Sequence, residues 1–167
     1  MYSEAHQRFM QLPVEDKLRV FRDIQNFFRH VMEQGYVGID FYDGSILYDA
    51  KKKKTTLCDI DEFQKQPFYN NMGRMWGSTR FMSPEEFQLG APIDEITNVY
   101  TLGATAFALF SESVRTREAW PLSDRLYQVA IKAVSEDRAM RQQSIQQFRE
   151  EWEAGLSDGP LILSFQD

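Results

Sequence analysis

The chain has 167 residues, 43% of them hydrophobic and 14% aromatic, a length and composition that fit one folded domain and exclude a disordered segment. Its formal net charge of -6 excludes the broad basic face that nonspecific nucleic-acid binding needs. The single cysteine, Cys58, excludes an internal disulfide framework and a cysteine-based zinc site.

The opening "MYSEAHQRFMQLP" has neither the charged n-region nor the apolar run of a secretion signal. Residues 14–34 then read as an amphipathic helix, with Leu18, Phe21, Ile24, Phe28, Val31 and Met32 close to the helical period. Pro13 suits its first turn and Gly35 its C-terminal stop. The period changes next: 36–42, 45–48 and 55–60 are short β-prone runs, and Lys51–Lys54 separates the last two as a solvated hairpin turn would.

Residues 62–82 keep no period and contain Pro67, Asn70, Asn71, Gly73 and Gly77, which reads as a long ordered loop. "SPEEF" has the form of a helix start, with Ser83 as N-cap, Pro84 in the first position and Glu86 closing a capping box. Residues 97–110, "TNVYTLGATAFALF", are apolar nearly all round and predict a buried helix, shorter than the roughly 20 residues a bilayer span requires. Amphipathic helices follow at 123–134 and 144–154, the second with Ile145, Phe148 and Trp152 as its inner stripe. The expectation is a mainly α, α+β domain over residues 1–156 with a small β-hairpin, and a loosely attached tail at 157–167. A cytoplasmic protein with no membrane or nucleic-acid partner is the simplest reading.

Nucleophilic catalysis finds little support, because the two histidines, His6 and His30, read as surface or packing residues. The GxGxxG and GxxxxGK[ST] phosphate loops are absent. What remains is a set of carboxylates among apolar neighbours, where acids are rare unless paired. Asp40, Asp43, Asp49, Asp59 and Asp61 crowd residues 40–61; Glu85 opens a helix and Arg138 lies between late helices. Phosphoryl transfer needs a carboxylate facing the incoming hydroxyl and another holding Mg²⁺ against the phosphates.

Three blocks in order resemble the C-terminal lobe of eukaryotic-type serine/threonine protein kinases, and more narrowly the kinase-like proteins of Bacillus-type bacteria. "GSTRFMSPEE" (77–86) resembles the block G-T-x-x-Y-M-A-P-E, so that Ser83-Pro84-Glu85 stands where the family has Ala-Pro-Glu. "NVYTLGATAFALF" resembles the buried D-V-Y-S-L-G helix, and "SEDRAMRQQSIQQF" the last family segment, where Arg138 would pair with Glu85. The likeness runs over about residues 10–155. It implies that "YVGIDFYDGSILYD" is the catalytic loop, with Asp40 as the catalytic Asp and Ser45 in the place of a magnesium-binding Asn. "LCDID" would carry the metal-binding Asp59, chosen over Asp61 because Leu57 then points inward. Residues 62–82 would be the activation segment, and Ser78 would match the residue that usually hydrogen-bonds the catalytic Asp.

The departures are as informative. Gly38 and Ile39 replace a His and an Arg, Tyr42 stands in the place of a phosphate-facing lysine, and Ile60-Asp61 replace Phe-Gly. Asn98 replaces a buried Asp, and Asp43 is a substitute ligand beside the weaker Ser45. Each lost electrostatic contributor is typically worth about a hundredfold in rate. The nucleotide-covering N-lobe, with its Gly-rich loop and lysine, has no counterpart in these residues. The resemblance therefore implies ATP and Mg²⁺ as cofactors of a two-lobed parent, with a protein substrate or a regulatory protein as partner. The chain alone is expected to be inactive. A pseudokinase or interaction module, and a small-molecule phosphotransferase, are the alternatives.

Overall fold

The computed structural model describes residues 3–159, and one helix organises them. Glu95–Ser111 is buried along almost its whole length, from Thr97 to Ser111. Burial on every face is what its all-round apolar sequence requires. Four other α-helices occur among the described residues. In chain order these are α1 (Glu4–Met10), α2 (Val14–Glu33), the central helix α3 (Glu95–Ser111), α4 (Asp124–Ala133) and α5 (Ile145–Ser157). Helix α3 packs against α2, α4 and α5. Its contact with α4 is close: a Cβ added at Gly103 would stand 2.7 Å from the Cβ of Ala133. A second layer of rings fills the space among α2, α3 and α5, with Phe21 and Trp152 at 4.7 Å and Phe110 and Trp152 stacked at 6.1 Å.

The strands are short. They are β1 (Tyr36–Val37), β2 (Ile46–Asp49), β3 (Lys54–Leu57), β4 (Gln64–Lys65), β5 (Phe68–Tyr69) and β6 (Pro92–Ile93). They pair antiparallel as β1–β4, β2–β3 and β5–β6. The β2–β3 hairpin sets Ile46 opposite Leu57 and Asp49 opposite Lys54. Its lysine turn is closed by Asp49, whose carboxylate accepts from the backbone N–H of Lys51 and Lys52 at 3.0 Å each. Lys53 reaches from the turn to Asp16 on α2 at 2.6 Å. The hairpin is thereby fastened to the helix beneath it.

The sequence expectations meet three differences. Helix α1 is capped by the Ser3 hydroxyl, a start signal that a 7-residue element is too short to reinforce by periodicity. The capping box at Ser83 and Glu86 forms, yet it opens only a 3₁₀ turn, Pro84–Phe87, because Gln88 is already extended. The long loop of residues 62–82 contains β4 and β5, each of 2 residues and so without a readable alternation. The C-terminal boundary drawn at 157 falls at the end of α5, and residues 160–167 of the tail lie outside the described residues. Among the described residues no helix is long and apolar enough to cross a membrane.

Candidate active site

The segment Gly38–Ser45 leaves β1 and passes under α2. Gly38 is held by Asn98 of α3, whose Oδ1 accepts from the Gly38 N–H and whose Nδ2 donates to the Gly38 carbonyl, both at 2.8 Å. Asn98 is fully buried, so this two-pronged clamp satisfies both amide groups without burying a charge. Gly38 has no room for a side chain. An added Cβ would sit 2.6 Å from the ring of Phe28 and 3.0 Å from that of Phe63. Those two rings fill the space that a larger residue at position 38 would need.

Two residues on, Asp40 adopts φ 57°, a left-handed conformation that Asp tolerates better than most residues. It is half-buried and lines a cavity of about 10 Å³ of water-accessible space with Gly38, Phe41, Ser78, Glu86 and Thr101. That is room for about one water. Burial, followed by the like charges of Asp59 and Glu62, pushes the Asp40 carboxyl above its ordinary value. Asp40 and Ser78 share the cavity wall without a direct hydrogen bond. The carboxylate rests against the Gly77 corner, where an added Cβ would come 3.6 Å from Asp40 Oδ1. Gly77 itself has φ 149°, a region few L-residues adopt.

The Asp43–Ser45 3₁₀ turn closes the loop. Tyr42, beside it, folds its ring over Gly44 and packs against the main core. Ser45 is fully buried, and Cys58 donates its N–H to the Ser45 carbonyl at 3.0 Å. The hairpin register thus brings Ser45 beside the residue that precedes Asp59. The Ser45 hydroxyl has no hydrogen-bond partner among the described residues. Asp59 is exposed with φ 60°. Asp43 is engaged elsewhere, accepting from Arg80 Nη2 at 2.9 Å. Arg80 also reaches Ser113 at 3.2 Å and lies over the Phe81 ring. Among the described residues no three His, Cys, Asp or Glu side chains are grouped to hold a metal ion.

Glu85 anchors the other side. It is 3% exposed and accepts from Arg141 Nη1 and Nη2 at 2.7 and 3.0 Å, from Arg138 Nη1 at 2.7 Å and from Thr97 Oγ1 at 3.1 Å. Burial opposes its charge, but the bonds and charge of Arg141, with Arg138 behind, hold Glu85 below the usual carboxylate range. Arg138 turns its other edge to Asp94, bidentate at 2.8 Å. Arg141 is the partner that sequence reasoning missed. Its side chain is fully buried under the Tyr100 ring, and it closes both carboxylate oxygens of Glu85. Two arginines one helical turn apart in "DRAMR" were the only signal, and nothing in their order separates the buried one from the half-exposed one.

No known family profile matches the sequence, and no curated protein does. Among solved structures the chain is similar to the kinase PK-1 of Cydia pomonella granulovirus, with a TM-score of 0.67 at 13% identity. The fold is kinase-like. The match covers 82% of this chain and 57% of that one, so the chain spans a little over half of the viral kinase's length. Identity this low carries the fold and nothing finer. The helical part of that fold is what the described residues form; the three two-stranded sheets among them do not make a larger β-lobe.

Proposed function

We propose that this chain is the lower, helical lobe of an ATP-dependent phosphotransferase acting on Ser or Thr hydroxyls of proteins. The observation that carries this reading is the placement of two acids on joined segments: Asp40 stands on the loop that Asn98 clamps, and Asp59 follows Cys58, whose N–H bonds the Ser45 carbonyl at the end of that loop. Asp40 is assigned to orient the substrate hydroxyl and take up its proton. Its raised pKa suits that task, since a base works best when its pKa lies nearer the operating pH. Ser78, on the same cavity, is assigned to position Asp40.

The donor set fits one Mg²⁺ rather than a protein-built cage. Mg²⁺ is typically held by one or two carboxylates with phosphate and water completing the shell. Asp59 is the assigned carboxylate, and the unpartnered, buried Ser45 hydroxyl is the neutral oxygen assigned with it. Asp43 is the weaker candidate while Arg80 occupies it. The ion's chemistry there is to neutralise phosphate charge in transfer. ATP and a covering upper lobe belong to this proposal as well.

A pseudokinase or interaction module is the second reading. It is favoured by Tyr42, which stands in the place of a phosphate-facing lysine and folds onto Gly44, and by Asp43 tied to Arg80. A small-molecule phosphotransferase draws on no separate observation. The deciding experiment measures Mg²⁺-dependent ATP binding and phosphotransfer to protein for the full-length gene product, wild type against Asp40→Ala and Asp59→Ala. Loss of transfer in Asp40→Ala and loss of Mg²⁺ dependence in Asp59→Ala are expected. Equal behaviour of all three proteins ends the assignment, and absence of transfer in the wild type selects the second reading.

A further inference from the structure

The small cavity beside Asp40 has a second acid in its wall that the phosphotransfer reading does not use. Asp40 and Glu86 line the same space of about 10 Å³, together with Ser78 and Thr101, and its wall is more polar than apolar. Glu86 is 4% exposed, and a glutamate that deep in a fold is ordinarily paired with a cation. Here the cation goes to its neighbour: Arg141 closes both oxygens of Glu85 at 2.7 and 3.0 Å. Among the described residues no Lys or Arg bonds Glu86. A buried carboxyl without a cation keeps its proton more readily, and burial pushes Glu86 up to about 7.

The place of that proton follows from the bonds already made. Glu86 Oε2 accepts from the Ser83 N–H at 2.6 Å and from the Ser83 hydroxyl at 2.8 Å. Oε1 is the oxygen left to carry the O–H, and a buried O–H requires an acceptor. The cavity can supply one. It has room for about one water, which is stable where it finds two to four polar partners. Asp40 brings a carboxylate to the wall, and Ser78 and Thr101 bring hydroxyls. Thr101 Oγ1 donates to the Thr97 carbonyl at 3.3 Å, which leaves its lone pairs to accept.

The charges around this pair are few. Asp59 and Glu62 act on Asp40, Glu85 and Arg141 act on Glu86, and α3 faces the cavity with the uncharged Thr101. We propose that one water fills the cavity and relays a hydrogen bond from the Glu86 carboxyl to the Asp40 carboxylate, which makes Glu86 a positioning residue for Asp40. A donor aimed at a carboxylate favours its charged form, so neutral Glu86 holds Asp40 ready as a base. Once Glu86 ionises, the donor is gone and a like charge stands in its place. The two carboxyls then titrate as a coupled pair, Asp40 first and Glu86 second. The relay rests on the proposed function only for its use in transfer; the pair itself needs no substrate.

The test follows the side-chain carboxyl signals of ¹³C-labelled Asp and Glu in the full chain by NMR as the pH is raised. In the wild type the Asp40 signal is expected to move at its own step and again, by less, as Glu86 ionises near pH 7. Glu86→Gln, which keeps a donor, removes the second movement and leaves the first in place. Glu86→Leu removes the donor and raises the Asp40 midpoint by about one pH unit. A disturbance of packing alone would not be rescued by Gln. Cross-peaks from a long-lived water to the Thr101 methyl group supply a readout that needs no variant, should Glu86→Leu fail to fold. An Asp40 signal blind to Glu86, equal midpoints in Glu86→Gln and Glu86→Leu, or the lack of a long-lived water overturns the proposal. In the full-length gene product the acid limb of the transfer rate should shift upward in Glu86→Leu and stay in Glu86→Gln. Absence of transfer with the NMR coupling intact ends the phosphotransfer reading and leaves the pair standing, and transfer without the coupling does the reverse.

Discussion

Glu86 makes stability depend on pH in a window where most carboxylates are silent. It is 4% exposed, and its Oε2 accepts from the Ser83 N–H at 2.6 Å and the Ser83 hydroxyl at 2.8 Å. Burial, with the charge of Glu85 added, outweighs those bonds and Arg141 and pushes its pKa from 4.5 up to about 7. The folded chain therefore holds this proton more tightly than the unfolded chain does. The stabilisation is complete below pH 4.5 and is lost as the pH rises through about 7. At about 1.4 kcal/mol per pH unit, the loss across that window is roughly 3 kcal/mol. In a chain of this size about 1 kcal/mol moves the melting temperature by roughly 2–4 °C, so the effect is of the order of 6–12 °C.

Glu86→Gln keeps an oxygen for the Ser83 N–H and cannot ionise. Melting curves of both proteins by circular dichroism, from about pH 4.5 to 8, isolate the effect, because Asp40 titrates upward in both and cancels. Glu85 and Glu151, whose pKa values lie below normal, lose their stabilisation only on the acid side, again in both. The variant is expected to gain on the wild type steadily as the pH rises. Parallel curves refute the reasoning, since they mean that Glu86 is ionised in the fold throughout.

Arg141→Ala leaves Glu85 buried without its bidentate partner and is expected to cost about 3–5 kcal/mol in urea unfolding, against about 1 kcal/mol for the half-exposed Arg138→Ala; the reverse order counts against Arg141 as the principal anchor. Asn98→Ala strands the Gly38 N–H and carbonyl at about 1–3 kcal/mol each. Asn98→Asp should do worse at neutral pH and recover in acid, where a protonated carboxyl again donates to Gly38; a pH-independent deficit contradicts the clamp.

Residues whose sequence pattern encodes their burial were the legible ones. The run "LGATAFALF" is apolar on all faces because α3 is enclosed on all faces, so composition alone located the central helix. The Ser83–Glu86 box was readable because a cap is a local contact between neighbours. Partnerships across the fold were not. Asn98 differs from an aspartate by one atom, and only the position of Gly38 converts that difference from a lost brace into a neutral clamp. Asn70 looked like an ordinary loop residue, yet its bonds to Gly73 and Glu85 tie the loop to the 84–87 turn. Asp43 read as a spare ligand because Arg80, 37 residues away, was invisible as its partner.

The rings packed over Gly38 restrict which sequences this chain can reach by single steps. A side chain at position 38 meets Phe28 at 2.6 Å and Phe63 at 3.0 Å, so any bulk there is a clash unless those rings shrink first. Shrinking either ring while Gly38 remains opens a void in the apolar floor, which also carries a penalty. A histidine at position 38 is therefore reached only through a less stable intermediate, whichever residue changes first. The glycine and its two phenylalanines fix one another's size, a constraint set by shape instead of by chemistry.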